Sequence, residues 1–294
     1  MRKYNYSGYV FIAPMVILFL IFIVYPIFFN VFISFHEWNG IDVERIYTGF
    51  SNYKKLFTDP VLLIILRNFV IFATITIFIQ ALLGMIFATY FFQNLKLSGL
   101  YRTLMYLPVV ATPAIIGSIF SRILETNLGD LNTLLRSVGL GFLAQQWLAI
   151  PRWALISIMG INIWQWTGYS MLVYYANMLN IPGDIYEAAT IDGANQVQIF
   201  GLVTFPMLRG AHFTLAILGT LGSLKCFELP YILTKGGPNH ATEFFSTYIY
   251  QKSFDFFDQG GSSALVILMF MIALVITGVQ MKLYNKNNAE KAVN

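Results

Sequence analysis

The chain has 294 residues, 57% of them hydrophobic and 11% charged, with a mean hydropathy of +0.66. An average soluble domain carries about 25% charged residues, so a water-soluble fold would lack the polar surface to cover itself, whereas helices facing lipid need none. The formal net charge of +4 is scattered without a basic stripe, which argues against nucleic acid and suits a protein beside anionic lipid.

A single cysteine, Cys226, rules out an intrachain disulfide. His36, His212 and His240 lie far apart, with no metal-ligand spacing. No Gly-Lys dipeptide occurs, so this chain has no Walker-type phosphate loop with which to hydrolyse ATP. Paired carboxylates, a nucleophile elbow and a metal cluster are all missing, which speaks against a membrane enzyme.

Crossing a bilayer takes roughly 20 apolar residues of helix. Six stretches qualify: 9–34, 67–92, 103–124, 153–179, 208–233 and 262–284. The first run, from Gly8 to Phe35, outlasts a signal-peptide core of about 7–15 residues and is read as a membrane helix. The segment 36–66 is polar and partly helical. The third span carries Pro108 and Pro113, which signal a kink or break. A short loop with Lys96 and Arg102 precedes it, and a mixed, glycine-dotted loop, 125–152, follows. The fold class is all-α, one polytopic membrane domain over 1–294.

Six spans put both termini on one side. That side holds Arg2, Lys3, Lys96, Arg102, Arg209, Lys282, Lys286 and Lys291. The Lys and Arg of the two sides are nearly balanced, but the bases at helix ends favour termini inside the cell. Lys225 and Glu228, three apart on the fifth predicted helix, can pair. They lie toward its outer end, where snorkelling to the interface serves equally well.

The loop 180–207 reads differently. Pro182 and Asp184 make a helix start, and Gly193 interrupts. Asn195 can cap a second short helix, with Val197, Phe200 and Gly201 on one face, and Pro206 stops the run. From Pro182 to Pro206 there are Asp184, Glu187 and Asp192 and no Lys or Arg. Such a loop is either an interfacial amphipathic hairpin or a docking element for a basic cleft.

The run EAATIDGA followed by Phe205-Pro206 resembles the EAA motif of permease subunits in binding-protein-dependent ABC importers. The resemblance covers nearly the whole chain. It includes APMVILFLIFIVYPI, GFSNYKKLFTDP, Arg102 with Tyr106-Leu107-Pro108, and FELPYILTKGGP with Tyr248-Ile249-Tyr250 and Phe254. The last block looks like the maltose and glycerol-phosphate type, although that family usually has Asp at the position of Glu228. The resemblance implies a type I importer permease fold in a bacterial or archaeal cytoplasmic membrane. It implies a coupling helix carrying Glu187, Ala188, Ala189, Asp192, Gly193, Ala194 and Pro206. The implied partners are a second permease subunit, an ABC ATPase dimer that uses the ATP, and an extracellular or periplasmic sugar-binding protein. No cofactor belongs to this chain.

Sugars are held by planar hydrogen-bonding groups and aromatic faces, and the fourth span offers both. Gln165, Trp166 and Tyr169 match positions where maltose-type permeases touch sugar; an aromatic belt at the membrane interface is the plainer reading. Gly219, Ser223 and Cys226 form a stripe on the fifth span that matches a pathway-lining face in the family, or serves close helix packing. A permease for a phosphorylated polyol, which would want a base such as Lys225, and a secondary transporter are the alternatives.

Overall fold

The computed structural model describes the backbone of residues 7–92 and 96–293 and the side chains of 11–92 and 96–286. Arg2, Lys3 and Asn94 lie outside the described residues, as does the side chain of Lys291.

Helix α1, Ser7–Phe19, passes through a π-helical turn, Leu20–Val24, into α2, Tyr25–Ser34. The turn shifts the hydrogen-bond ladder just ahead of Pro26, which has no N–H to give. A two-residue antiparallel ribbon, His36–Glu37 with Ile46–Tyr47, follows. Next come α3, Ser51–Thr58, and α4, Pro60–Phe92. Then α5, Ser98–Val110, meets α6, Pro113–Ile123, at a bend of 90°. Pro113 pushes the preceding Thr112 into extended backbone (ψ 143°), because the pyrrolidine ring disfavours helical geometry there. The short α7, Asp130–Ser137, leads to α8, Pro151–Met178.

The acidic loop forms α9, Gly183–Ile191, α10, Gln196–Gln198, a π-helical run, Ile199–Thr204, and α11, Phe205–Met207. Pro206 does not stop this run. The Phe205 N–H reaches back five residues to the Phe200 carbonyl, so the wider turn absorbs the proline. The chain bends instead at Leu208, by 61°, into α12, Arg209–Leu224.

The fifth predicted span is not one helix either. It breaks after Leu224 and resumes as α13, Glu228–Thr234. Pro230 is the physical reason: it fits only the first turn of a helix and would clash with the Cys226 carbonyl in a continuous one. Lys225 thus caps one helix while Glu228 opens the next. Of the two readings of Lys225 and Glu228, the ion pair is not among those of the described residues. Last come α14, Phe245–Tyr250, a π-helical turn, Gln251–Asp255, and α15, Gln259–Val293.

Three described helices are long and apolar enough to cross a membrane, and the two bent pairs raise the number to five. The remaining predicted span, the fourth, corresponds to α8, 28 residues long, whose apolar character is diluted by Asn162 and Gln165. Large side chains of the first span stand bare, with Phe11 86% and Phe22 71% exposed, which lipid accepts and water would not.

The chain groups into two compact units, 1–62 with 248–272 and 63–247 with 273–294. In the first, buried Asn52 donates from Nδ2 to the Ser34 and His36 carbonyls, both at 2.9 Å, pinning the ribbon to α3. Asp59 accepts from the Tyr248 hydroxyl at 2.6 Å and lies 3.8 Å from Lys252 Nζ.

In the second unit, α8 is the central post. Ile158, Met159 and Ile161 pack with Phe72, Ile116, Leu229 and Phe244. Met171, Tyr174 and Met178 pack with Met85, Phe91, Leu208 and Leu215. Gly168 lets α5 come into backbone contact, since a Cβ there would stand 2.0 Å from the Met105 carbonyl oxygen. Small residues serve such approaches in membranes, where packing drives helix association.

Candidate functional site

A cavity of about 420 Å³ lies within the second unit, between α4, α8, α12 and the break before α13. All six residues expected on a transport pathway line it: Gln165, Trp166 and Tyr169 from α8, and Gly219, Ser223 and Cys226 from the fifth span. The first three share a wall because α8 turns once in 3.6 residues. The Trp166 and Tyr169 rings meet edge to face, centroids 6.2 Å apart. Gly219 does two things, for it also abuts Ile77 of α4, whose Cγ1 would lie 2.5 Å from an added Cβ.

Gln165 is wholly buried, and its Nε2 donates to the Ala111 carbonyl at 3.1 Å. That carbonyl sits at the bend of the third span, so the glutamine ties the bend to the cavity wall. The same bond fixes the amide's orientation, since Oε1 would face an acceptor if flipped. Oε1 itself has no hydrogen-bond partner. A buried acceptor left unpaired costs about 1–3 kcal/mol.

Gln80 was not anticipated, though an amide deep within an apolar span is a signal of function. Its Nε2 donates to the Asn162 side-chain oxygen at 2.9 Å and the Asn162 carbonyl at 3.2 Å, and both residues line the cavity. Lys225 and Glu228 line it too. The helix break brings them to its edge, which periodicity along an unbroken helix could not reveal. The cavity therefore presents amides, hydroxyls, three aromatic rings and one charge of each sign.

The loop residues gather in a second place. Glu187 and Ala188 are exposed on α9 with Asp184. Asp192 closes the helix, Gly193 turns the chain at φ +80°, and Ala194 is half-buried. The positive φ is a conformation in which only glycine escapes a Cβ penalty. Asn195 then forms a full capping box with Gln198, its Oδ1 accepting from the Gln198 N–H at 2.9 Å while Gln198 Oε1 accepts from the Asn195 N–H at 2.8 Å. Pro206 lies at the far end of the element, exposed. Bare apolar side chains sit among the acids, Ile191 at 85% and Val197 at 79% exposure. Exposed acids, exposed apolar groups and a rigidly capped turn together present a surface that another body can grip.

Fold and site define a polytopic helical membrane protein with a cavity among its spans, apolar for the most part and set with a few amides and hydroxyls, and an acidic helix–glycine–helix element. Residues 80–287 match the family described as binding-protein-dependent transport system inner membrane component, and the chain belongs to that family. It is 36% identical to the probable ABC transporter permease protein YurN of Bacillus subtilis (strain 168), over 96% of this chain and 97% of that one. It is 33% identical to the lactose transport system permease protein LacF of Rhizobium radiobacter, over 93% of each. A bacterial alginate ABC transporter, solved in complex with an alginate pentasaccharide-bound periplasmic protein, contains a chain of the same fold. The TM-score is 0.81 at 22% identity, over 94% of this chain and 93% of that one. The architecture is thus the type I ABC importer permease fold.

Proposed function

We propose that this chain is a channel-forming subunit of an ATP-driven importer that takes up a sugar or oligosaccharide handed over by a binding protein outside the membrane. The cavity carries the reading: amides that donate and accept beside aromatic faces suit a neutral polyhydroxylated solute, whose C–H patches cover rings while its hydroxyls pair with Gln165, Asn162 and Ser223. The naming of a relative as a lactose permease supports the solute class.

Transport runs by alternating access. A separate ABC ATPase dimer binds and hydrolyses the ATP. Its closure moves the element bearing Glu187, Ala188, Ala189, Asp192, Gly193, Ala194 and Pro206, and with it the helices around the cavity. A second permease subunit completes the pathway, and the termini face the cytoplasm with the ATPase. The exposed carboxylates of Asp184, Glu187 and Asp192 support docking into a basic cleft.

A permease for an anionic polyol is the second reading, favoured by Lys225 at the cavity; Glu228 beside it offsets that charge.

The test is purification in mild detergent, followed by ATPase assay with and without solute-loaded binding protein. An ABC ATPase and a second permease are expected to co-purify, and Glu187→Lys is expected to cut stimulated hydrolysis at least tenfold. A chain that runs alone and moves sugar into vesicles without ATP would refute the reading.

A further inference from the structure

Between the cavity wall and the acidic element runs a polar chain that neither role requires. Tyr174, on α8 five residues beyond Tyr169, is completely buried. Its hydroxyl lies 2.8 Å from His212 Nδ1, and His212 Nε2 lies 3.1 Å from the Phe205 carbonyl oxygen. The rings follow the same path: Tyr174 meets His212 edge-on at 5.2 Å, and His212 lies against Phe205 at 4.7 Å.

The partners dictate the polarity. A carbonyl can only accept, so Nε2 carries the proton; a neutral ring then presents the Nδ1 lone pair, and the tyrosine hydroxyl donates to it. Both ring nitrogens are used. The Phe205 carbonyl belongs to the last turn before the 61° bend, where a helix end leaves carbonyls short of intrahelical donors. Around the chain lie Met171, Met178, Leu208, Ala211 and Leu215. In such apolar surroundings a satisfied network is strong, and breaking one link strands the others.

We propose that His212 is a positioning residue for coupling. It ties the final turn of the acidic element, at Phe205, to the cavity helix α8 through Tyr174, so that a displacement of the element is passed to the wall bearing Gln165, Trp166 and Tyr169. This rests on the function proposed above. Apolar packing alone lets helices slide; a directional two-bond bridge at the bend makes element and helix move together or break.

The test uses the assembled importer in lipid nanodiscs, carrying Tyr174→Phe, His212→Leu or His212→Gln. Tyr174→Phe keeps the buried ring and removes only the hydroxyl. With Tyr174→Phe and His212→Leu, basal ATP hydrolysis is expected within twofold of wild type, while stimulation by solute-loaded binding protein falls at least fivefold. His212→Gln, whose amide can donate to one partner or accept from the other, is expected to recover at least half of the stimulation that His212→Leu loses. Amide hydrogen exchange over 199–208 is expected to quicken at least fivefold in Tyr174→Phe, a readout that needs no transport. The proposal is overturned if Tyr174→Phe retains both stimulation and exchange within twofold of wild type, or if His212→Gln does no better than His212→Leu. Should His212→Leu fail to assemble, Tyr174→Phe decides. Absence of stimulated hydrolysis in wild type would overturn the importer reading, and the exchange measurement would still judge the bridge.

Discussion

Gly168 is the point where α5 and α8 touch backbone to backbone, and the smallest substitution probes it. In Gly168→Ala the new methyl would stand 2.0 Å from the Met105 carbonyl oxygen and 2.8 Å from its carbon. Neither atom is a flexible side-chain end, so α5 must retreat by about 1 Å before the contact is tolerable, and such overpacking typically costs about 1–3 kcal/mol. The retreat also pulls on the end of α5, where Gln165 holds the Ala111 carbonyl at 3.1 Å. A bond stretched by that much is lost, adding about 1 kcal/mol. The expected total is about 2–4 kcal/mol, together with a slackened bend in the third span. Gly160→Ala is the internal control: it lies on the same helix with nothing within 4 Å, and alanine's helix preference should leave it equal to wild type or about 0.5–1 kcal/mol more stable. Thermal unfolding followed by tryptophan fluorescence, on the purified protein in one detergent, compares the three. Gly168→Ala melting with wild type, or Gly160→Ala melting as low as Gly168→Ala, would refute the reasoning.

Other consequences are open to direct measurement. Asn195→Ala removes the capping box and should cost about 0.5–2 kcal/mol locally, seen as faster amide exchange in 196–199 with helix α8 unchanged. Asn68 is buried and donates to the Ala241 and Glu243 carbonyls at 3.1 and 3.0 Å. Asn68→Leu removes both buried bonds, and a loss of about 1–3 kcal/mol is expected in the melting curve. The Glu125 carboxyl, in the loop between α6 and α7, is held below its ordinary value by the backbone N–H of Leu128 and then of Asn127. A depressed carboxylate stabilises its turn above the unfolded-state value and loses that support as pH falls through the lowered one. Once the intrinsic pH dependence of exchange is divided out, protection in 125–129 should therefore fall on acidification, and Glu125→Gln should abolish that fall.

Local rules account for what the sequence reveals. Hydropathy marks the membrane spans because lipid tests each segment by itself, without reference to its neighbours. Asp184, Gly193 and Asn195 mark the acidic element because helix starts, positive φ and caps are settled within a few residues. The cavity stripe of Gln165, Trp166 and Tyr169 was legible for the same reason: one turn of one helix places them together.

Only the tertiary structure decided the rest. Pro113 and Pro230 announce a disturbance, but whether a proline is absorbed, as Pro206 is by a widened turn, or breaks the span depends on what satisfies the freed backbone groups. Those partners come from elsewhere in the chain, as Gln165 does at Ala111. Whether Lys225 and Glu228 pair was open from their spacing; the break before Glu228 puts them on different helices, both at the cavity. Gln80 meets Asn162, and Tyr174 meets His212, across 82 and 38 residues of sequence. No period within a helix encodes those meetings; they exist because helices pack closely, as α4 does on α8 at Gly84, where an added Cβ would stand 2.7 Å from Ser170 Cβ, and so bring distant side chains within hydrogen-bonding reach.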